Sequence, residues 1–156
     1  MPVTTFVKVN DFQPKFTGIL QAVSPTITSM CSSALIPPGQ IRLSKFHLTL
    51  IHQSLLKPVK AEVKSLIKDG GLPTLPKDIK VYTEPRLREG FWRHPEAANL
   101  DQFRSGFALL IEEDSASELK MWCDTVLTIL GVEEREPREF HVSISNLTGK
   151  SGDSLR

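Results

Sequence analysis

Phe46-His47-Leu48-Thr49-Leu50 and Phe140-His141-Val142-Ser143-Ile144 read almost alike. Each is a phenylalanine, a histidine, an aliphatic residue, a hydroxyl residue and a second aliphatic residue. Alternation of this kind is the signature of a half-buried β-strand. In a strand, residues i and i+2 share a face. His47 and Thr49 therefore point one way, about 7 Å apart along the strand, while Leu48 and Leu50 point into a core. His141 and Ser143 repeat the arrangement over Val142 and Ile144.

The chain around the doublet supplies further elements. Residues 3–9 and 41–51 have strand character. Residues 57–68 read as a helix with Val59, Val63, Leu66 and Ile67 on one stripe, ended by Asp69-Gly70-Gly71. Residues 78–82 read as a strand, 84–102 as a polar irregular stretch, and 106–112 as a strand. Residues 115–130 form the clearest helix. Ser115 and Glu118 have capping-box spacing, and Gly131 closes the helix. Residues 140–145 form the last strand. Each histidine segment accompanies one helix. The expectation is an α+β fold in which residues 1–156 form a single bilobal domain. Two similar lobes, with sheets flanked by helices, would pack together, since each alone is small for an independent core.

Composition narrows the setting. The 156 residues carry 19 basic and 18 acidic side chains, a net charge of +1. Phosphate neutralisation drives binding to long nucleic acids and calls for a basic excess. Long nucleic acid is thus not expected as the main partner, whereas a small phosphate ligand is compatible. The basic neighbourhood from Lys77 to Arg93 reads, for most of its side chains, as a solvated face. No apolar run is long enough to cross a bilayer, and residues 1–10 lack the pattern of a secretory signal. Cys31 and Cys123, the only cysteines, provide no disulfide framework and are expected reduced in a cytoplasm.

Two imidazoles and two hydroxyls converging on one groove suit phosphodiester chemistry. Histidine can act as base when neutral and as acid when protonated, because its ordinary pKa is about 6.5. The hydroxyls can donate to non-bridging phosphate oxygens, where charge accumulates in the transition state. One such segment alone would be a histidine on a half-buried strand. The repetition makes it a candidate catalytic set of His47, Thr49, His141 and Ser143. Trp92, between Phe91 and Arg93 in the polar stretch, is a candidate for stacking on a base. Phe16 is a second candidate, with a core role as the competing reading.

Other patterns fail. His52 has the wrong parity to join His47 and reads as a surface or turn residue. His94-Pro95-Glu96 is similar to the His-x-Glu of zinc deaminases, but the required Pro-Cys-x-x-Cys is missing. Gly149-Lys150-Ser151 resembles the end of a P-loop, but Ile144 stands where the first glycine belongs. A zinc site from His47, His52 and His141 is conceivable, but no Cys or His pair has helical ligand spacing; no metal and no cofactor are expected.

The motifs His47-Leu48-Thr49-Leu50 and His141-Val142-Ser143-Ile144 resemble the paired His-x-Thr/Ser-x motifs of the 2H phosphoesterase superfamily. The tail Asn146-Leu147-Thr148-Gly149-Lys150-Ser151-Gly152-Asp153-Ser154 is similar to that of the phage-encoded anti-CBASS phosphodiesterases. The superfamily resemblance implies two pseudo-symmetric lobes, with antiparallel or mixed sheets flanked by helices, around a central cleft. The tail implies a metal-independent phosphodiesterase in the host cell cytoplasm. It would cleave 3′-5′ linkages of cyclic di- or trinucleotide messengers and so counter a bacterial antiphage defence. Two alternatives are an enzyme opening 2′,3′-cyclic phosphates at RNA ends and a non-catalytic sponge for cyclic nucleotides. A sponge has no need of an acid–base pair. The sequence leaves open the preferred bases, the acid and base assignments, and the oligomeric state.

Overall fold

A computed structural model describes residues 5–93, 101–136 and 139–150. The side chains of residues 91–93 and 101–102 fall outside the description. The fold is mixed α/β with antiparallel sheets. Strands β1 (Phe6–Val9), β2 (Gln13–Phe16) and β3 (Leu20–Val23) precede helix α1 (Pro25–Ser33). Then come β4 (Ile41–Arg42), β5 (Leu48–Ile51), the single turn α2 (Gln53–Leu56), a 3₁₀ turn (Lys57–Val59) and α3 (Lys60–Lys68). The remainder is β6 (Ile79–Tyr82), β7 (Arg86–Arg93), β8 (Asp101–Leu110), α4 (Glu113–Ile129) and β9 (His141–Asn146). Among the described residues, no helix is long and apolar enough to cross a membrane.

The large sheet has the order β2-β3-β5-β9-β8-β7, with β4 also paired to β9. Its pairings are antiparallel. β1 and β6 form a separate two-stranded sheet, which an isolated bridge between Val81 and Ile111 links to the end of β8. Four residues in register define the core row of the large sheet: Ala22 on β3, Leu48 on β5, Val142 on β9 and Leu109 on β8. All four are buried, each larger side chain contributing roughly 1.5–3 kcal/mol. Helix residues Ile27, Cys31, Val63, Leu119, Trp122 and Val126 complete this core. The opposite face of the sheet carries the alternate residues.

The helix ends explain how the scaffold is held. Ser24 caps α1, its hydroxyl accepting from the Ile27 N–H at 3.1 Å, and Pro25 occupies the first turn. Asp11 adds bonds from the Ser24 hydroxyl and from the Thr26 N–H at 3.0 Å. Arg42 donates to the carbonyls of Cys31 and Ala34 at the other end of α1, where a cation complements the helix dipole. Cys31 and Cys123 are buried and not joined in a disulfide. Burial pushes the Cys31 thiol up to about 12, against the opposing effect of Arg42.

Several sequence expectations need correction. Residues 41–51 do not form one strand. Leu43 N–H still bonds Ile144 O at 2.9 Å, continuing the β4 register. Leu48 then pairs with Val142 in a register displaced by three residues, so Ser44, Lys45 and Phe46 form a bulge just before His47. Within the stretch 84–102, residues 86–93 and 101–102 are strand and not irregular, because β7 and β8 pair antiparallel there. The α4 cap is Glu112, whose carboxylate accepts from the Asp114 and Ser115 N–H groups. Ser115 is buried in the first turn and instead accepts from the Lys80 N–H at 2.8 Å. Gly131, with φ +74°, follows α4 as expected.

Candidate active site

Leu48 opposite Val142 fixes what surrounds them. Antiparallel pairing sets His47 against Ser143 and Thr49 against His141, on the face opposite the core. Directly opposed residues lie about 5 Å apart at Cβ, and diagonal neighbours about 7–8 Å apart. The two hydroxyl residues and the two histidines therefore occupy the corners of a small quadrilateral, with each histidine diagonal to the other. The motif strands are neighbours in one sheet and do not face each other from separate walls. His47, Thr49 and Ser143 are half-buried, and His141 is 9% exposed.

The bulge explains the placement of His47. Phe46 is buried, while Ser44 and Lys45 are exposed. A buried aromatic at the end of the bulge anchors the chain before it enters β5. Bulges re-aim side chains in this way beside functional sites. Phe140, also buried, stands in the corresponding place before His141.

Neighbouring strands extend the site in two rows. Gln21 is in register with Thr49, and Leu110 with His141. Ala108 is in register with Ser143, and Arg86 with Ala108. Gln21 is a buried polar residue beside Thr49, a neighbour the sequence reading missed because nothing local marks residues 13–23 as a hairpin.

His141 has a defined ring orientation. Its Nδ1 lies 2.9 Å from the carbonyl oxygen of Glu139. A carbonyl only accepts, so Nδ1 carries the proton and Nε2 is left as the basic nitrogen of the neutral ring. The Glu139 carboxylate is 3.0 Å from Arg88 Nε. Arg88 lies in the basic run that reads, for most of its side chains, as a solvated face, yet its own side chain is only 19% exposed. The tertiary ion pair explains the difference.

The remaining candidates belong to other parts of the chain. Trp92 belongs to β7, in register with Gln102, and not to a loop; its side chain lies outside the described residues. Phe16 ends β2 and packs, partly buried, against the core. His52 precedes the α2 turn at its N-cap, and His94 lies outside the described residues. A cavity of about 570 Å³ between the β1–β2 segment and the α3 end, lined by Phe12, Leu66, Ile67, Leu72 and Leu75 among others, contains none of the four motif residues. Among the described residues, no group of three or more His, Cys, Asp or Glu side chains is arranged to hold a metal ion. No family model matches the chain, and neither a curated protein nor a solved structure matches it.

Proposed function

We propose that this protein is a metal-independent phosphodiesterase of the 2H type that cleaves 3′-5′ linkages in cyclic di- or trinucleotides. The observation that carries the proposal is the β5–β9 pairing at Leu48 and Val142, which gathers His47, Thr49, His141 and Ser143 on one face. In the first step one imidazole takes the proton from a ribose 2′-OH. The 2′-oxygen attacks the adjacent phosphorus, and the bond to the departing 5′-oxygen breaks. The other imidazole, protonated, gives its proton to that oxygen. The products are a 2′,3′-cyclic phosphate and a free 5′-hydroxyl. Thr49 and Ser143 donate to the non-bridging oxygens as negative charge builds on them. A diagonal of about 7–8 Å between the histidines leaves room for one phosphate.

The sheet order supports a two-lobed reading. β2, β3 and β5 form one three-stranded half, and β7, β8 and β9 the other. They meet at the two motif strands, as pseudo-symmetric lobes would. In this proposal Trp92 stacks on a base of the substrate, while Phe16, packed against the core opposite Leu20, serves the fold and not the substrate. The near-neutral charge favours a compact cyclic messenger over long RNA, and the tail after β9 favours a role in countering a cyclic-nucleotide defence in the host cytoplasm.

The test is incubation with cyclic di- and trinucleotides and with RNA ending in a 2′,3′-cyclic phosphate, without added metal, followed by mass spectrometry. Linearised cyclic oligonucleotides are the expected products. Turnover confined to the RNA end would move the assignment to end processing. Tight binding of an uncleaved cyclic nucleotide would make the protein a sponge.

A further inference from the structure

His141 is held by a residue that is itself held. The Glu139 carbonyl accepts the Nδ1 proton at 2.9 Å, and the Glu139 carboxylate pairs with Arg88 Nε at 3.0 Å. Glu139 lies just before β9, where the Ile111 N–H bonds Phe140 O at 3.3 Å. Arg88 comes from β7, two strands from β9 in the sheet order. Its position is opposite Gly106 on β8, and Arg86 is opposite Ala108. These small residues leave the intervening strand low beneath an arginine side chain.

Ala108 fits this picture. It is 2% exposed yet absent from the helix-side core cluster. Its register partner Ser143 belongs to the motif face. The cover over Ala108 therefore lies on the motif side of the sheet, the side that Arg88 shares with Gly106 and Ala108. The Arg88 side of the pair is sheltered, at 19% exposed against 58% for Glu139, which screens the contact less than one between two exposed groups, and an arginine–carboxylate contact is directional. Both properties suit a brace better than a solvated surface charge.

We propose that Arg88 is a positioning residue for His141, acting through Glu139. The ion pair fixes the Glu139 backbone, and the fixed carbonyl holds the Nδ1–H tautomer and the plane of the ring. Nε2 is then kept as the proton-transferring nitrogen toward the Thr49 and Ser143 hydroxyls. The proposal rests on the phosphodiesterase reading for its catalytic consequence but not for its structural one.

The experiment compares wild type with Arg88→Ala, Arg88→Lys and Glu139→Gln, using ¹⁵N-histidine-labelled protein. Long-range ¹H–¹⁵N spectra identify the His141 tautomer, and steady-state kinetics on a cyclic dinucleotide follow kcat and KM. Wild type is expected to show a single Nδ1–H tautomer at His141. Arg88→Ala and Glu139→Gln should give a mixture, with kcat reduced roughly ten- to a hundredfold as the ring loses alignment and KM little changed. Arg88→Lys, which keeps the charge, should recover part of both signals. An unaltered tautomer in Arg88→Ala or Glu139→Gln overturns the proposal. Glu139, 58% exposed at its side chain, can be replaced without opening the core and decides the matter if Arg88→Ala fails to fold. An inactive wild type would sink the phosphodiesterase reading while leaving the tautomer result to judge the brace.

Discussion

Leu48 stands opposite Val142 where β5 meets β9, and that one contact does two jobs. Both side chains are fully buried and stitch the middle of the sheet to the helix-side core. Because faces alternate along a strand, burying this pair turns His47, Thr49, His141 and Ser143 toward the other side. Core and site are thus two faces of the same ladder, and their substitutions should separate cleanly.

His47→Ala or His141→Ala should lower the rate by roughly 10²–10⁴ if each histidine transfers a proton. Thermal stability should change little for His47, which is only half-buried. Leu48→Ala should do the reverse at first, costing about 2–5 kcal/mol of stability while the surviving folded fraction retains turnover. Parallel melts and rate measurements check both. A histidine variant with wild-type kcat would remove that residue from the mechanism.

The motif strands were legible because each alternates between a buried aliphatic residue and a polar residue. Their adjacency was not, since strand pairing is a tertiary outcome that spacing does not encode. β7 was hidden by its composition: Arg86, Arg88 and Gly90 alternate with Leu87 and Glu89, so neither face reads as apolar. β2 carries Pro14, which a central strand would reject but an edge strand tolerates, and β2 is indeed an edge. The Ser44–Phe46 bulge left no mark because an inserted residue looks like any other in a strand-forming run. The α4 start moved to Glu112 because docking on β6 takes Ser115 into the interior. The Arg88–Glu139 pair joins residues far apart in sequence, so only the folded chain brings Arg88 beside Glu139.

Asp11 should tie stability to pH. Burial pushes its carboxyl up, but hydrogen bonds from the Ser24 hydroxyl and from the Thr26 hydroxyl and N–H outweigh that and hold it below its ordinary value. A carboxyl lowered in the folded state contributes stability above its unfolded pKa and loses it as pH falls through the folded pKa. Wild type should therefore lose part of its melting temperature on acidification below about pH 4. Asp11→Ala should start lower at neutral pH and converge on wild type in acid. A difference in Tm that stays constant down to about pH 2 would show that the charged carboxylate is not its source.

Gly149 should resist replacement. Its φ is +77°, and an added Cβ would come within 2.6 Å of Ile41 Cγ2. Its N–H bonds Asn146 Oδ1 at 2.6 Å, and the same oxygen accepts from the Thr148 N–H at 3.1 Å. Asn146 is fully buried, so this turn locks the end of β9 beside β4. Gly149→Ala should cost about 1–2 kcal/mol from the left-handed backbone alone. Adding Ile41→Ala should relieve only the steric share, and denaturant melts of the single and double variants measure the two parts. Equal stability of Gly149→Ala and wild type would contradict this account.

The proposed nucleophile can be removed from the substrate without touching the protein. In a cyclic dinucleotide with a 2′-deoxy sugar at the cleaved linkage, the phosphate, the bases and the ring remain. Contacts from Thr49 and Ser143 to the non-bridging oxygens have the same partners as before. Binding should therefore persist, while cleavage at that linkage stops because no 2′-oxygen is available to attack phosphorus. Competition between the deoxy analogue and the ribose substrate measures binding, and mass spectrometry measures cleavage. Competitive inhibition without product is the expected outcome. Normal cleavage of the deoxy linkage would mean that water attacks directly, with one histidine activating that water instead of a ribose hydroxyl. The pair of imidazoles would remain the acid and base, but the 2′,3′-cyclic phosphate would no longer be an obligatory product.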